Sequence, residues 1–232
     1  MIAAALLLLA VGTVDLVRQM IRTRRVLAYA VAAVALLALA AGVDALVAGV
    51  LAVAVAGIWT WVVPERGPAR AGLWPVALLA VAAAGCVVLA PGRDRPGLLG
   101  ELWAASGPMT EASADTVLLV AGCLVFLLES GNAVVRIALR SEMGESAVAA
   151  GGASPAGGLK GGRLIGPLER ILVFVLTLAG AYTLLAAVLA AKGIVRFPEI
   201  SRDGDGGERA EYFLIGSLVS WVAALAAAFL VW

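Results

Sequence analysis

The chain has no histidine and only two cysteines among its 232 residues. The missing imidazole excludes Ser-His-Asp and Cys-His catalysis and removes the commonest metal ligand. Charge is scarce too: 14% of residues are Asp, Glu, Lys or Arg, and the formal net charge is +1. Soluble domains carry about 25% charged residues. A balance this close to neutral offers nothing to a nucleic acid. Cys86 and Cys123 both lie in apolar runs, where a thiol packs as a small hydrophobe. They are expected to be free, with a Cys86–Cys123 disulfide as the alternative. No Walker loop, GxSxG or HExxH motif is present. "DGDGG" at Asp203–Gly207 fails as an EF-hand loop, because Glu208 falls at position 6 and Leu214 at position 12. No catalytic residue, metal site or cofactor is predicted.

What the chain has instead is apolar surface. The hydrophobic fraction is 62% and the mean hydropathy +1.02. Uncharged runs of this length belong in a bilayer, and they do not alternate as barrel strands would. The fold class is therefore all-α, a polytopic transmembrane helical bundle. Seven apolar segments can be read, at Ile2–Val17, Val26–Gly42, Ala45–Val63, Leu73–Ala90, Thr116–Ala138, Ile171–Ala191 and Tyr212–Trp232. The first lacks the basic n-region and clear cleavage site of a signal peptide, so it is read as a retained span. Val43-Asp44 reads as a tight hairpin, and Leu98–Ala105 as a short helix. Trp59, Trp61, Trp74 and Trp232 fall at span ends, as an aromatic belt would place them.

Basic residues set the expected orientation. With seven crossings, 11 Lys and Arg fall on one side and 6 on the other, the minority being Arg93, Arg95, Lys192, Arg196, Arg202 and Arg209. The positive-inside rule then puts the N-terminus outside and the C-terminus in the cytoplasm. Three parts follow: residues 1–140 with five spans, a Gly/Ala-rich flexible cytoplasmic linker at 141–162, and a two-span hairpin at 163–232. Small residues recur every four positions at Ala179, Thr183, Ala187 and Ala191, and again at Gly216, Ser220, Ala224 and Ala228. Such stripes let backbones approach. They predict direct antiparallel contact between the last two spans.

Four stretches carry a resemblance: "GNAVVR" at Gly131–Arg136, "GRLIGPLER" at Gly162–Arg170, "AAKGIVRF" at Ala190–Phe197 and "EYFLIGSLVS" at Glu211–Ser220. Together the last three resemble the C-terminal module, approximately GRxIGxLER, AAKSIxRF and EYxLIGTLLS, of a family of uncharacterised bacterial membrane proteins common in actinobacteria. Gly193 and Ser217 stand where that pattern has serine and threonine. The resemblance implies a multi-pass protein of the bacterial plasma membrane and brings no activity with it.

Charges near spans need partners or water. Glu129, Asn132, Arg136 and Arg140 share one face of the fifth span. Glu129, Asn132 and Arg136 with Glu169 and Arg170 form an expected inner polar cluster, which Asp15 and Arg18 could join. Glu169 and Arg170 are adjacent, so they should serve different neighbours. Pro167 suits the first turn of a helix, and Glu169 its N-terminal end. Lys192, Arg196 and Glu211 form an expected outer cluster, in which Glu211 pairs with one of the two cations. A 21-residue helix from Ile171 to Ala191 would hold the two clusters roughly 31 Å apart.

These features fit a small permease, channel or channel-like subunit. The alternative is a non-catalytic scaffold or sensor that recruits a partner. A lipid-processing enzyme using Glu129 or Glu169 ranks behind both, since no second acid stands at a convincing spacing. The expected partners are the lipid bilayer and either a second copy of the chain or another membrane protein.

Overall fold

The computed structural model describes residues 1–21, 23–63, 72–89, 97–105, 112–152, 162–200 and 208–232, with side chains omitted at 143–152, 162–163, 196–200 and 208–209. Every regular element among the described residues is a helix. They are α1 (Ile2–Met20), α2 (Arg25–Gly42), α3 (Leu46–Val62), α4 (Trp74–Val88), α5 (Gly97–Ala105), α6 (Ala114–Gly152), α7 (Gly162–Leu178), α8 (Tyr182–Ile200) and α9 (Glu208–Val231). Four of these contain stretches long and apolar enough to cross a membrane: Ile2–Met20, Arg25–Gly42, Ala114–Glu142 and Ala210–Val231. The protein is thus a helical, membrane-associated chain. Leu46–Val62 and Trp74–Val88 are shorter apolar helices.

The chain divides into two compact units, and the division falls inside α6. The first holds residues 1–64 and 74–130, the second chiefly 131–230. In the first unit α1 is the core: Leu6, Leu7, Leu8 and Val11 are buried. It packs against α2, α3 and α4. Glycine brings it against α6. A Cβ on Gly12 would lie 2.7 Å from the backbone nitrogen of Phe126, and one on Gly122 would lie 2.7 Å from the carbonyl oxygen of Ala5. The two backbones touch at both heights, so neither position accepts a side chain. The predicted turn at Val43-Asp44 is present. Asp44 takes a left-handed φ of 52°, and the Ala45 N–H donates to the Ala40 carbonyl at 2.8 Å. The short helix expected at Leu98–Ala105 is α5. Both cysteines are free, Cys123 buried and Cys86 half-buried.

The sixth apolar segment departs from expectation. Ile171–Ala191 is not one helix. α7 ends at Leu178 and α8 begins at Tyr182, with Gly180 between them at φ +65°. The Gly180 N–H donates to the Thr177 carbonyl at 3.0 Å and the Ala181 N–H to the Leu176 carbonyl at 2.9 Å. This is a Schellman motif with glycine in the left-handed position. The physical reason for the break is local: only glycine enters that conformation without a Cβ penalty. The two helices then pack on each other as a hairpin.

Two further differences lie in unit two. α6 runs on through residues 141–152, which sequence alone assigned to the flexible linker. Its Ala and Glu residues favour a helix, no proline follows until Pro155, and the helix stops at the pair Gly151-Gly152. α7 starts at Gly162, which places Pro167 inside the helix rather than in its first turn. Glu169 accordingly lies beyond the first turn and does not cap the helix.

Candidate functional site

Each unit contains a polar cluster. In the first, Asp15 of α1 is 7% exposed. Its carboxylate accepts from Ser130 Oγ at 2.6 Å, from Trp59 Nε1 at 3.1 Å and from Arg18 at 3.2 Å. Arg18 continues to the end of α3, donating to the carbonyls of Thr60 at 2.7 Å and Val63 at 2.9 Å. Carbonyls at a helix C-terminus have no intrahelical donor, and a cation there also meets the favourable end of the helix dipole. The arrangement ties α1, α3 and α6 together through one carboxylate. Trp59 is therefore not an interfacial anchor: it is 4% exposed and its indole N–H is spent on Asp15. Trp61, Trp74 and Trp232 are exposed, as a belt requires. Glu129 accepts from Gln19 of α1. Two cavities of this unit are lined mostly by apolar side chains. One of about 460 Å³ is lined by Leu7, Ala52, Trp59, Trp74, Leu79 and Cys86 among others.

The second cluster is richer in charge. The α7–α8 hairpin folds Lys192 back onto Glu169, with Nζ 2.6 Å from both carboxylate oxygens. The side chains are 24% and 12% exposed. Trp221 Nε1 of α9 donates to Glu169 Oε1 at 2.6 Å. The Lys192 ammonium lies 5.5 Å from the ring centre of Phe213 and 5.3 Å from that of Trp221. Aromatic faces at this distance attract a cation. One residue along α7, Arg170 is only 2% exposed. It donates to Asn132 Oδ1 of α6 at 2.6 Å and to Ser220 Oγ of α9 at 3.4 Å. A Cβ on Gly131 would lie 2.5 Å from Arg170 Nε, so the guanidinium occupies the space where a side chain would be.

The expectation that Glu169 and Arg170 serve different neighbours holds. The pair on α7 meets an adjacent pair on α9: Glu169 takes Trp221 and Arg170 takes Ser220. The division into an inner and an outer cluster does not hold. It assumed a straight helix between Glu169 and Lys192, and the turn at Gly180 joins them instead. Lys192 is paired with Glu169, while Glu211, its expected partner, is exposed on α9. The side chain of Arg196 lies outside the described residues. Of the expected inner set, Asn132, Glu169 and Arg170 come together, Glu129 has Gln19 as a partner, and Arg136 is half-buried further along α6.

Gly131, Phe213, Ser220 and Trp221 were missed as site residues. Gly131, Phe213 and Ser220 lie inside the stretches that carry the resemblance, and Trp221 follows the last directly. An indole N–H inside an apolar helix, one residue from a hydroxyl, is the signal that was there to be read. What the arrangement can do chemically follows from its parts. It holds a carboxylate between two donors, and an ammonium between that carboxylate and two rings. Compared with protein families, with curated proteins and with solved structures, the chain finds no match.

Proposed function

We propose that this chain is a small permease or channel-like subunit of a bacterial plasma membrane, with Glu169 and Lys192 on its polar path. The observation that carries the reading is the break at Gly180, which turns an apolar segment back on itself and sets an ion pair within the hairpin. Non-helical backbone at membrane depth is tolerated where protein packs on it or water borders it. Interrupted helices are a recurrent way to build ion and substrate sites. The pair can open without stranding either charge: Glu169 keeps the Trp221 N–H, and Lys192 keeps two aromatic faces.

The test is flux. Purified protein in liposomes loaded with reporters for protons, alkali cations and chloride should conduct at least one of these above empty vesicles. Glu169→Gln and Lys192→Met should each abolish that flux in protein that still reconstitutes folded. Protein-containing vesicles as tight as empty ones to every ion would overturn the proposal. A scaffold is the second reading, and one observation favours it: Asp15, Glu169 and Arg170 all hydrogen-bond within the chain. A scaffold would lose stability and partner recovery together when Glu169 is replaced.

A further inference from the structure

We infer that residues 162–200 enter and leave the membrane on one side, as a helical hairpin with its tip at Ala179–Ala181. Segments 153–161 and 201–207 then share the cytoplasmic face, and the C-terminus lies outside. This reverses the side expected for the C-terminus from seven straight crossings, and it is independent of what the protein transports.

Length gives the first argument. From the ion pair to the turn, the uncharged limb of α7 is Ile171–Leu178 and that of α8 is Tyr182–Ala191. At 1.5 Å per residue these reach roughly 12 and 15 Å, about half of a hydrocarbon core of about 30 Å. Trp221, hydrogen-bonded to Glu169, stands midway along the crossing stretch Ala210–Val231, so the pair lies near mid-depth and the tip reaches the opposite edge.

The tip itself gives the second. Lipid offers no partner to a backbone carbonyl. The carbonyls of Thr177 and Leu176 receive the N–H groups of Gly180 and Ala181. Thr177 Oγ1 is likewise spent on the Val173 carbonyl, at 2.7 Å. The turn residues are Ala, Gly and Ala, with no charge to hydrate.

Charge gives the third. Let α1, α2, α3, α4, the apolar part of α6 and α9 cross, with the N-terminus outside. The hairpin then moves Lys192, Arg196, Arg202 and Arg209 to the inner side. Of the 17 basic residues only Arg93 and Arg95 remain outside. Seven straight crossings leave six there. The positive-inside rule favours the hairpin arrangement plainly.

Single-cysteine variants in a Cys86→Ala, Cys123→Ala background test this in intact cells with a membrane-impermeant maleimide. Ser154→Cys and Asp205→Cys should both resist the reagent until the membrane is permeabilised. Ala179→Cys, at the far tip, should react in intact cells. A reporter active only outside the cell, fused after Trp232, should be active, which keeps the test alive if a cysteine variant fails to fold. Labelling of Asp205→Cys in intact cells while Ser154→Cys stays protected would overturn the inference. So would protection of Ala179→Cys until the membrane is permeabilised, or an inactive C-terminal reporter.

Discussion

At the scale of single residues, the cluster in the second unit is held by complementary charge, and its strength can be measured by unbalancing it. Glu169→Gln leaves the Lys192 ammonium facing a neutral amide, and Lys192→Met leaves the carboxylate with the Trp221 N–H alone. Each should cost about 1.5–3 kcal/mol, the range for hydrogen bonds to charged groups. The double variant should cost less than the sum, because it leaves no orphaned charge. Unfolding in detergent with a double-mutant cycle measures this, and strictly additive costs would show that the contact is incidental. Two glycines in the same unit separate space from backbone conformation. A Cβ on Gly180 meets nothing within 4 Å, so Gly180→Ala pays only for its φ of +65°, roughly 1–2 kcal/mol. Gly131→Ala instead drives its methyl into the Arg170 guanidinium and should cost more, with loss of the Asn132 hydrogen bond. Equal melting temperatures for the two variants would contradict that ordering.

At the scale of elements, the small-residue stripes behave differently from one another. On α9, Ser220, Ala224 and Ala228 are buried, and a Cβ on Gly216 would lie 3.8 Å from Leu139 and Val135 of α6. On α8, Thr183, Ala187 and Ala191 are exposed, and Ala179 belongs to the turn instead. The expected pairing of the two stripes is therefore replaced by packing of the α9 stripe alone. Ala224→Leu should destabilise the protein by about 1–3 kcal/mol through overpacking, while Ala187→Leu should leave the melting temperature unchanged. Thermal unfolding of the two variants decides it, and equal loss from both would restore the original pairing. Helix content, the turn at Asp44 and the short α5 were legible because apolar runs and turn residues mark them locally. The hairpin was not legible. Gly180 sits within 21 uncharged residues, and a glycine in an apolar run is as compatible with a straight span as with a turn. The polar partners of Asp15 were hidden for a different reason. Trp59 and Ser130 are 44 and 115 residues away in sequence, and no local pattern joins them.

At the scale of the whole molecule, the boundary between units falls in α6 and not in the linker. This matters for what the last helices need in order to fold. α7 and α9 take their polar and packing partners from the far half of α6: Asn132 for the Arg170 guanidinium, Gly131 for its room, and Val135 and Leu139 for the approach of Gly216. Residues 163–232 expressed alone would leave the buried Arg170 guanidinium without its Asn132 acceptor, and a hydrogen bond lost at a buried charged group is expensive. The prediction is that cutting the chain between 153 and 161 does not separate its products. A protease site inserted there and cleaved in detergent should yield two fragments that elute together, because the bonds between α6 and the later helices do not depend on the connection. Asn132→Ala combined with Gly131→Leu should release the C-terminal fragment after cleavage, while leaving the uncut protein associated through its covalent link. Fragments that part at once after cleavage of the unsubstituted protein would show that 163–232 is a hairpin sufficient to itself, and would return the boundary to the linker.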